Sequence, residues 1–388
     1  MELNRLQKIF NEKHGSSEET TLTYFAPGRV NLIGEHTDYN GGYVFPCALS
    51  FGTYMLVRKN SDQVIRFAST NFDYSSSVKL SELEHKHDGE WINYPLGVIN
   101  ELKKKGYEVA GMDILYHGNI PNGAGLSSSA SIELVTAYAI NDLYALNINR
   151  TELALIGQKA ENEFVGMNCG IMDQFAVAMG KSNTAIFLNC DTLEYSLVPV
   201  KIDGYKIVIT NTNKGRKLTD SKYNERRGEC QSALDAINEG ENSFKNLSEI
   251  SVGQFTELQK LIRDETVRNR ARHVITENNR VLKAIKALNS NNLSQFGELM
   301  YASHESLRYD YEVTCLELDT LVEEAQKCEG VIGSRMTGAG FGGCTVSIVA
   351  EDKVDEFQQK VGKNYEIKTG LKADFYIAEI GNGVQMLH

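Results

Sequence analysis

The segment 121–131 combines small residues with serines in an order suited to binding an anion. It reads PNGAGLSSSAS and leads directly into an apolar, helix-forming stretch, residues 132–143. Glycine lets the backbone approach a ligand closely, and the first turn of a helix presents unpaired N–H groups with partial positive charge. Such a loop is suited to phosphate. The serine hydroxyls add hydrogen-bond donors and a candidate ligand for magnesium.

Two common nucleotide-binding patterns do not account for this chain. A Walker A loop requires G-x-x-x-x-G-K-[ST], and the nearest stretch, residues 175–182, has Phe175 in place of the first glycine. Residues 338–343 match G-x-G-x-x-G, but the apolar run 344–350 that follows indicates a strand, where a dinucleotide site needs a helix. We therefore expect a tight glycine loop at 338–343 that lines a different kind of site.

A second dense cluster of polar residues occupies positions 26–42, APGRVNLIGEHTDYNGG. It places one cation, two carboxylates and an imidazole between glycines. A polyhydroxylated ligand such as a sugar needs this mixture, because each hydroxyl requires a donor and an acceptor at fixed positions. A solvated turn with a few salt bridges has the same composition, so composition alone leaves both interpretations open.

These segments resemble a known family. Residues 28–42 resemble the signature of the galactokinases, and residues 123–130, GAGLSSSA, resemble the phosphate loop of the wider superfamily of GHMP small-molecule kinases. Residues 338–344 resemble the third motif of that superfamily, and 169–174 and 303–311 extend the likeness. The resemblance runs from about residue 20 to the C-terminal strands. The phosphate loop is shared by the superfamily, whereas the EHTD segment at 35–38 is specific to galactokinases and their closest relatives.

The resemblance implies a role for each matching position. Asp173 would face the anomeric hydroxyl of a sugar, and Arg29 would lie beside both Asp173 and the γ-phosphate of ATP; these two are the implied catalytic residues. The implied sugar-binding residues are Glu35, His36, Thr37, Asp38, Gly170 and Tyr223. The implied ATP-binding residues are Ser69, which with an aromatic near Trp91 borders the adenine pocket, and Gly123, Ala124, Gly125, Leu126, Ser127, Ser128 and Ser129. Ser129 and Glu161 would hold Mg²⁺, the implied cofactor, with ATP as co-substrate.

The elements that must position these residues follow in irregular order. Short β-like runs at 53–58, 64–68, 113–117 and 184–188 accompany helices at 129–143 and from Thr151, its N-cap. The second half is helical over 220–329 and ends in β-like runs at 345–350 and 374–380. This pattern predicts α+β layers and not a doubly wound parallel sheet. The resemblance implies a two-domain GHMP-kinase-like fold of mixed sheets and helices, with the active site in the interdomain cleft.

At 388 residues the chain exceeds what one core usually serves, so we expect an N-terminal domain at 1–200 and a C-terminal domain at 201–388. A net charge of −11 argues against nucleic acid and against an anionic membrane surface. Seven scattered cysteines without C-x-x-C spacing indicate reduced thiols in a cytoplasm. Residues 1–14 form a short charged helix without the apolar core of a signal peptide. We expect a cytoplasmic monomer with no membrane partner.

Three further clusters of charged residues are predicted to have no part in the chemistry. His85 and His87 lie among acidic residues in what we interpret as a solvated loop. The run 103–105 complements the C-terminal end of a helix dipole. Arg226 and Arg227 are assigned to an exposed helix face.

The favoured hypothesis is ATP-dependent phosphorylation of the anomeric hydroxyl of D-galactose to α-D-galactose 1-phosphate and ADP, a step of galactose metabolism (the Leloir pathway). A kinase for N-acetylgalactosamine or another galactose-like sugar is an alternative, since no residue defines the pocket around the second carbon. A catalytically silent sugar and ATP sensor is another; relatives of that kind have lost a Ser-Ala pair that is present here as Ser129-Ala130. Homoserine or mevalonate kinases would share the phosphate loop but leave 35–38 without a purpose.

Overall fold

Residues 3–87, 90–121, 124–215, 219–240 and 242–387 are described by the computed structural model. The strands are β1 (Leu22–Asn31), β2 (Tyr43–Val44), β3 (Pro46–Lys59), β4 (Val64–Ser69), β5 (Ser76–Lys79), β6 (Met112–Gly118), β7 (Thr184–Asn189), β8 (Tyr195–Pro199), β9 (Tyr205–Asn211), β10 (Val331–Thr337), β11 (Cys344–Ala350), β12 (Asp374–Ala378) and β13 (Gln385–Leu387). The helices are α1 (Leu3–His14), α2 (Asn93–Lys104), α3 (Ser128–Leu143), α4 (Arg150–Lys159), α5 (Met172–Met179), α6 (Thr219–Asn238), α7 (Val252–Leu258), α8 (Glu265–Asn289), α9 (Leu293–Tyr309), α10 (Leu316–Gln326) and α11 (Val354–Thr369). The α+β prediction is confirmed.

Over the described residues the strands form three sheets. Their orders are β13-β1-β3-β6-β4-β5, β10-β11-β9-β12 and β2-β7-β8. The pairs are antiparallel except β4 with β6. Helices α2 to α5 bury their apolar faces in one core with the first sheet, which therefore fixes where α3 and α5 begin.

The second sheet is buried on both faces, as alternation along β9 requires. Ile207 and Ile209 pack in the core that contains α8 and α9, whereas Val208 between them packs against α10 and α11. The same core that holds Ile207 also contains Leu32, from the end of the first sheet. A continuous apolar core therefore holds the two halves of the chain together.

The C-terminal strand returns to the first sheet. Residues 385–387 pair antiparallel with β1, and Val384 is fully buried in the core of that sheet. The backbone N–H of Val384 donates to the carbonyl of Val177 in α5 at 2.8 Å. The division at 200/201 stays a prediction, and residues 384–387 belong structurally with the first sheet.

Two local predictions about the helix at 150–165 differ from the structure. Asn149, not Thr151, is the N-cap of α4, because its side chain accepts a hydrogen bond from the backbone N–H of Glu152 at 2.9 Å. Glu161 lies in a separate π-helical turn, Ala160–Val165. A π turn rotates the residues after it relative to the helix before it, and such turns are frequent at functional sites.

The prediction that Arg226 faces solvent is wrong. Its side chain is 5 % exposed, and its guanidinium donates to the carbonyls of Tyr311 and Glu312 at 2.8 and 3.2 Å. It also pairs with Glu229 one turn further along α6. Arg227 is exposed as expected. Among the described helices, none is long and apolar enough to cross a bilayer.

We predict that Val384→Ala lowers the free energy of unfolding by about 2 kcal/mol, because two buried methyl groups are lost and a cavity remains. Ile377→Ala is the control, since that side chain is half exposed on β12 and should change stability by less than about 0.5 kcal/mol. Urea unfolding measures both. Equal, small effects would mean that the C-terminal strand does not stabilise the first sheet.

Candidate active site

A pocket of about 210 Å³ lies where loops from the two halves of the chain meet. The first half contributes the end of β1, the turn after it, the start of α3 and the segment before α5. The second half contributes α6 and the glycine loop after β10. The lining residues are Arg29, Glu35, His36, Asp38, Gly125, Ser127, Ser128, Ser129, Glu161, Met167, Cys169, Gly170, Met172, Asp173, Tyr223, Gly338 and Ala339.

Arg29 and Asp173 form a two-point ion pair at the centre of this pocket. Arg29 Nε donates to Asp173 Oδ1 at 2.8 Å and Nη2 donates to Oδ2 at 3.0 Å. The remaining Nη1 donates to the carbonyl of Gly125 at 3.0 Å. These two parallel charge-assisted hydrogen bonds fix the planes of the guanidinium and the carboxylate relative to each other. Asp173 lies in the first turn of α5, where the helix dipole favours its negative charge.

The predicted phosphate loop lies beside this ion pair. Ser127 adopts a left-handed conformation (φ 60°), and its hydroxyl donates to Asp173 Oδ2 at 2.5 Å instead of capping α3. The first N–H groups of α3 are therefore not occupied by the Ser127 side chain, which suits an incoming anion. Ser128 and Ser129 line the pocket directly.

The other members of the predicted loop are placed differently. Gly123 lies outside the described residues. Ala124 and Leu126 have buried side chains in the core that joins the two halves. The carbonyl of Leu126 accepts the backbone N–H of Arg29 at 3.2 Å. Any contribution of Ala124 and Leu126 to a ligand would therefore come from their backbone.

Two carboxylates, buried Glu35 and half-buried Asp38, face the pocket from the turn after β1. Glu35 is 1 % exposed; its Oε1 accepts the backbone N–H of Gly338 at 2.6 Å, and its Oε2 accepts the amide of Asn31. Burial raises the pKa of Glu35. Burial, reinforced by the charge of Asp173, raises the pKa of Asp38 to about 6. Both groups lack a full complement of donors, which a polyhydroxylated ligand would supply.

Gly170 is predicted to bind the sugar, and the structure shows why this position has no side chain. A Cβ at Gly170 would overlap the carboxylate of Asp38. The close approach of the two segments therefore depends on glycine here. The ring of Tyr223 borders the same part of the pocket, 5.2 Å from the ring of Tyr39 between centroids.

His36 lines the pocket but has both ring nitrogens engaged by the protein. Its Nε2 is 3.2 Å from the carbonyl of Ala339, which can only accept, so Nε2 carries the proton. Its Nδ1 accepts from the hydroxyl of Tyr39 at 2.7 Å, which is in turn 2.8 Å from the hydroxyl of Tyr311. Burial lowers the pKa of His36 to about 3, which matches a neutral ring. His36 thus ties the turn after β1 to the glycine loop.

Thr37 is the predicted sugar-binding residue that the structure does not bring to the pocket. Its side chain is fully buried, and its hydroxyl lies 2.9 and 2.8 Å from the carbonyls of Gly34 and Tyr43. These contacts hold the turn closed. Thr37 is not among the lining residues of the pocket.

The predicted metal ligands, Ser129 and Glu161, lie on the side of the pocket next to α3. Burial, followed by the charge of Asp173, raises the pKa of Glu161 to about 7, although hydrogen bonds from Ser129 and others oppose this. Gln174 Nε2 donates to Glu161 Oε2 at 2.6 Å and to Glu133 Oε2 at 3.0 Å. Glu133 is fully buried, and its Oε1 has no hydrogen-bond partner within the described part of the chain. The acidic groups here exceed the cations beside them.

This excess of carboxylates fits a divalent cation. Mg²⁺ binds proteins through one or two carboxylates and completes its shell with phosphate oxygens and water. Within the described residues there is no group of three or more His, Cys, Asp or Glu side chains arranged to hold a metal alone. The residues present therefore suit a metal that arrives with a phosphate ligand.

A second pocket of about 210 Å³ adjoins the first and shares Ser128 and Ser129 with it. Its walls are largely aromatic and apolar, which suits a planar base. The lining residues are Thr53, Ser69, Asn71, Phe72, Trp91, Tyr94, Tyr116, Gly118, Ile120, Ser128, Ser129 and Ile132. The predicted pair Ser69 and Trp91 thus lies in one pocket, and Phe72 stacks on Trp91 with 20° between the rings.

The sequence interpretation missed several pocket residues. Met167 and Met172 flank Gly170 and line the first pocket, and Phe72 and Tyr116 line the second. Their types are ordinary for a protein core. Only their nearness to Gly170, or to Trp91 across the sheet, could have indicated them.

Family models cover most of the chain. The model described as "Galactokinase galactose-binding signature" matches residues 8–59. "GHMP kinases N terminal domain" matches residues 93–181, and "GHMP kinases C terminal" matches residues 284–367. The galactose-binding model contains Arg29 and the turn after it, and the N-terminal GHMP model contains the start of α3, Glu161 and Asp173.

Relatives and solved structures agree with these matches. A galactokinase from Fusobacterium nucleatum is 53 % identical over 384 residues, covering 98 % of each chain, and one from Bacillus subtilis is 51 % identical over 382 residues, covering 98 % of this chain and 96 % of the relative. The crystal structure of Lactococcus lactis galactokinase complexed with galactose superimposes with a TM-score of 0.97 at 49 % identity, covering 99 % of this chain and all of that one. The Methanococcus jannaschii mevalonate kinase, at 20 % identity and a TM-score of 0.67, covers 95 % of this chain and shares the fold.

We predict that Asp38→Asn stabilises the unliganded protein at pH 8 by about 1–3 kcal/mol. The pKa of Asp38 is about 6 in the folded protein and is near 4 when unfolded, so the folded state binds more protons in between. Stability from this group therefore falls as the pH rises from about 4 through 6, and the amide removes that loss. Urea unfolding at pH 5 and pH 8 measures it.

The control for this prediction is Asp203→Asn, an exposed carboxylate in the turn before β9. Its pH dependence of stability should equal that of the unaltered protein. If Asp38→Asn also leaves the difference between pH 5 and pH 8 unchanged, the carboxylate of Asp38 is not held in the strained, buried state described here.

Proposed function

The chain belongs to the galactokinase family of the GHMP kinases, and from this premise we propose that its paired pockets transfer the γ-phosphate of ATP to the anomeric hydroxyl of D-galactose. The products are α-D-galactose 1-phosphate and ADP. Membership of this family is the evidence for the reaction. The ion pair of Arg29 and Asp173 in the first pocket, which also contains the shared residues Ser128 and Ser129, is the observation that supports the assignment of the reaction to these residues.

ATP would lie across both pockets. The aromatic pocket beside Trp91 suits the adenine, and Ser69 would border it. The phosphates would then reach the start of α3, where Ser128 and Ser129 line both pockets and the backbone of Gly125 faces Arg29. This order places the γ-phosphate nearest to Arg29.

Galactose would occupy the part of the first pocket between Asp38 and the glycine loop. The carboxylates of Glu35 and Asp38 would accept hydrogen bonds from sugar hydroxyls, and Tyr223 would close one side. The backbone at Gly170 adds a contact without a side chain in the way. His36 would contribute through its position beside Tyr223 while it holds the loop of Ala339.

In the reaction, the anomeric oxygen forms a bond to the γ-phosphorus as the bond to the ADP oxygen breaks. Asp173 orients the hydroxyl and accepts its proton, and Arg29 stabilises negative charge on the transferring group. Phosphoryl transfer depends mostly on positioning and charge neutralisation, so a carboxylate held by two bonds from Arg29 is suited to orienting the hydroxyl. ADP leaves with the bonding electrons.

Mg²⁺ would be held by Ser129 and Glu161, and it would neutralise charge on the phosphates of ATP. Glu161 is kept in place by Gln174, whose amide also reaches Glu133. Burial and the nearby charge of Asp173 raise the pKa of Glu161, and a bound cation would offset both effects. We further propose that the protein acts in the cytoplasm, as its scattered cysteines indicate, and that it acts as a monomer.

The test of the reaction is release of ADP with Mg·ATP and galactose, N-acetylgalactosamine, glucose, homoserine or mevalonate. We expect galactose to have by far the highest kcat/KM. A higher value for N-acetylgalactosamine would change the substrate. No turnover with any acceptor, together with galactose binding that requires ATP in calorimetry, would identify a sensor instead of an enzyme.

We predict that Asp173→Asn lowers kcat for galactose at least about 100-fold, the lower range of general-base assistance. The amide still fills the space beside Arg29 and Ser127, so galactose binding measured by calorimetry should persist. Steady-state kinetics at saturating substrates measures the loss. A variant that keeps more than about a tenth of the original kcat would refute the role of Asp173 as base.

A further inference from the structure

Arg335 is a fully buried arginine in β10, on the strand that leads into the glycine loop. A buried guanidinium is costly unless charges and hydrogen bonds compensate it. Its Nη1 donates to the carbonyl of Asn31 at 3.2 Å, while Nε and Nη2 have no hydrogen-bond partner in the described part of the chain. Two carboxylates flank it instead: Glu35 at 3.6 Å and Glu277 at 4.0 Å.

The two carboxylates differ in how well they are satisfied. Glu277 Oε1 accepts the backbone N–H of Gly34 at 2.9 Å and the hydroxyl of Ser303 at 2.6 Å, and Oε2 pairs with Arg280 at 2.6 Å. Although burial opposes ionisation, Arg280 and its neighbours lower the pKa of Glu277 to about 2. Glu277 therefore already has its partners. Glu35 has only Asn31 and the backbone of Gly338 within the described residues, so it depends more on Arg335.

Arg335 and α8 together hold Glu35 from the second half of the chain. Glu277 holds the backbone N–H just before Glu35, and His273 Nε2 donates to the carbonyl of Glu35 at 3.1 Å. Arg335 Nη1 lies 3.6 Å from Glu35 Oε1, and it donates to the backbone carbonyl of Asn31, whose side-chain amide donates to Glu35 Oε2. The pKa of Glu35 is raised by burial, and the charge of Arg335 is the largest influence that opposes this.

We propose that Arg335 is a positioning residue for galactose: it holds the Glu35 carboxylate aimed at the sugar, without touching the sugar or ATP. This inference rests on the proposed function. It confines the effect of Arg335 to the sugar part of the pocket, because Arg335 lies near neither α3 nor the aromatic pocket residues. A lysine has a compact ammonium that does not span both carboxylates, so Arg335→Lys should loosen Glu35.

The experiment compares Arg335→Lys with Arg58→Lys. Arg58 is equally buried and pairs with Asp113 at 2.8 Å, but it lies beside α1, away from both pockets. We expect Arg335→Lys to raise KM for galactose at least about tenfold, with a smaller change in kcat. This is the effect of losing one charged hydrogen bond, here the one between the sugar and Glu35. Arg58→Lys should lower the melting temperature but leave KM for galactose within about twofold of the original. A change of about twofold is small compared with the effect of losing a charged hydrogen bond.

The affinity for ATP separates a loss of positioning from a general structural defect, because a general defect would weaken ATP binding as well. Trp91 is the single tryptophan and lines the aromatic pocket, so its fluorescence reports nucleotide binding. We expect the Kd for ATP to be unchanged in Arg335→Lys. Equal losses of ATP and galactose affinity, or an unchanged KM for galactose, would overturn the proposal.

A double-mutant cycle tests whether Arg335 acts through Glu35. With Glu35→Gln already present, adding Arg335→Gln should change kcat/KM for galactose little, because the charge to be positioned is gone. Full additivity would overturn the proposal. Where Arg335→Lys fails to fold, this double variant decides: it should fold with the kcat/KM of Glu35→Gln alone, and an unfolded double variant would show that Arg335 is structural only.

Failure of this inference is distinguishable from failure of the proposed function. If the unaltered protein releases no ADP with galactose, the proposed function fails. If it does release ADP, and only the Arg335 variants behave unlike the expectation, the proposed function stands without this positioning residue.

Discussion

Arg29 uses its Nε and both Nη atoms to join three segments that are far apart in sequence. The guanidinium comes from β1, its carbonyl partner at Gly125 lies in the loop before α3, and its carboxylate partner is Asp173 in α5. Because a planar fork fixes both direction and distance, the phosphate loop and the acceptor carboxylate have a set relation to each other. The two pockets share Ser128 and Ser129, the first residues of α3, which directly follows the loop that Arg29 holds at Gly125.

The first sheet is what allows this junction to be rigid. It carries β1 in its interior, and α3 and α5 pack on it in one core, so the start of each helix is fixed relative to Arg29. The C-terminal strand closes the edge beside β1. The glycine loop of the second half then approaches closely enough for Gly338 to bond Glu35, and for Ala339 to bond His36.

Charge is distributed unevenly around this junction. Glu277 is surrounded by donors and cations and is readily ionised, whereas buried Glu35 and Glu161 and half-buried Asp38 have raised pKa values. Functional groups left short of partners cost stability in the unliganded protein. Sugar hydroxyls and a phosphate-bound cation would supply the missing partners. The groups that lower the stability of the unliganded protein are therefore the ones that would contribute binding energy.

Local sequence determined much of this protein. The glycine-serine loop before an apolar segment predicted the start of α3, and the apolar run at 344–350 predicted β11. The EHTD segment pointed to Glu35, His36 and Asp38, which line the first pocket. These features depend on neighbours within a few positions, where backbone propensity and hydrophobic period act directly. The same local reasoning wrongly placed Arg226 on an exposed face, because burial depends on partners from distant segments.

Only the tertiary structure decided which groups meet. Arg335 lies about 300 positions from Glu35, and no local pattern links them; the strand that carries it shows merely one charged residue in a buried run. Likewise His36 Nε2 donates to Ala339, and Gln174 joins Glu133 to Glu161, through contacts between separate elements. The sequence determined the chemistry available at the site. Packing of the two halves decided its geometry, because burial and long-range pairing set the charge and direction of each side chain.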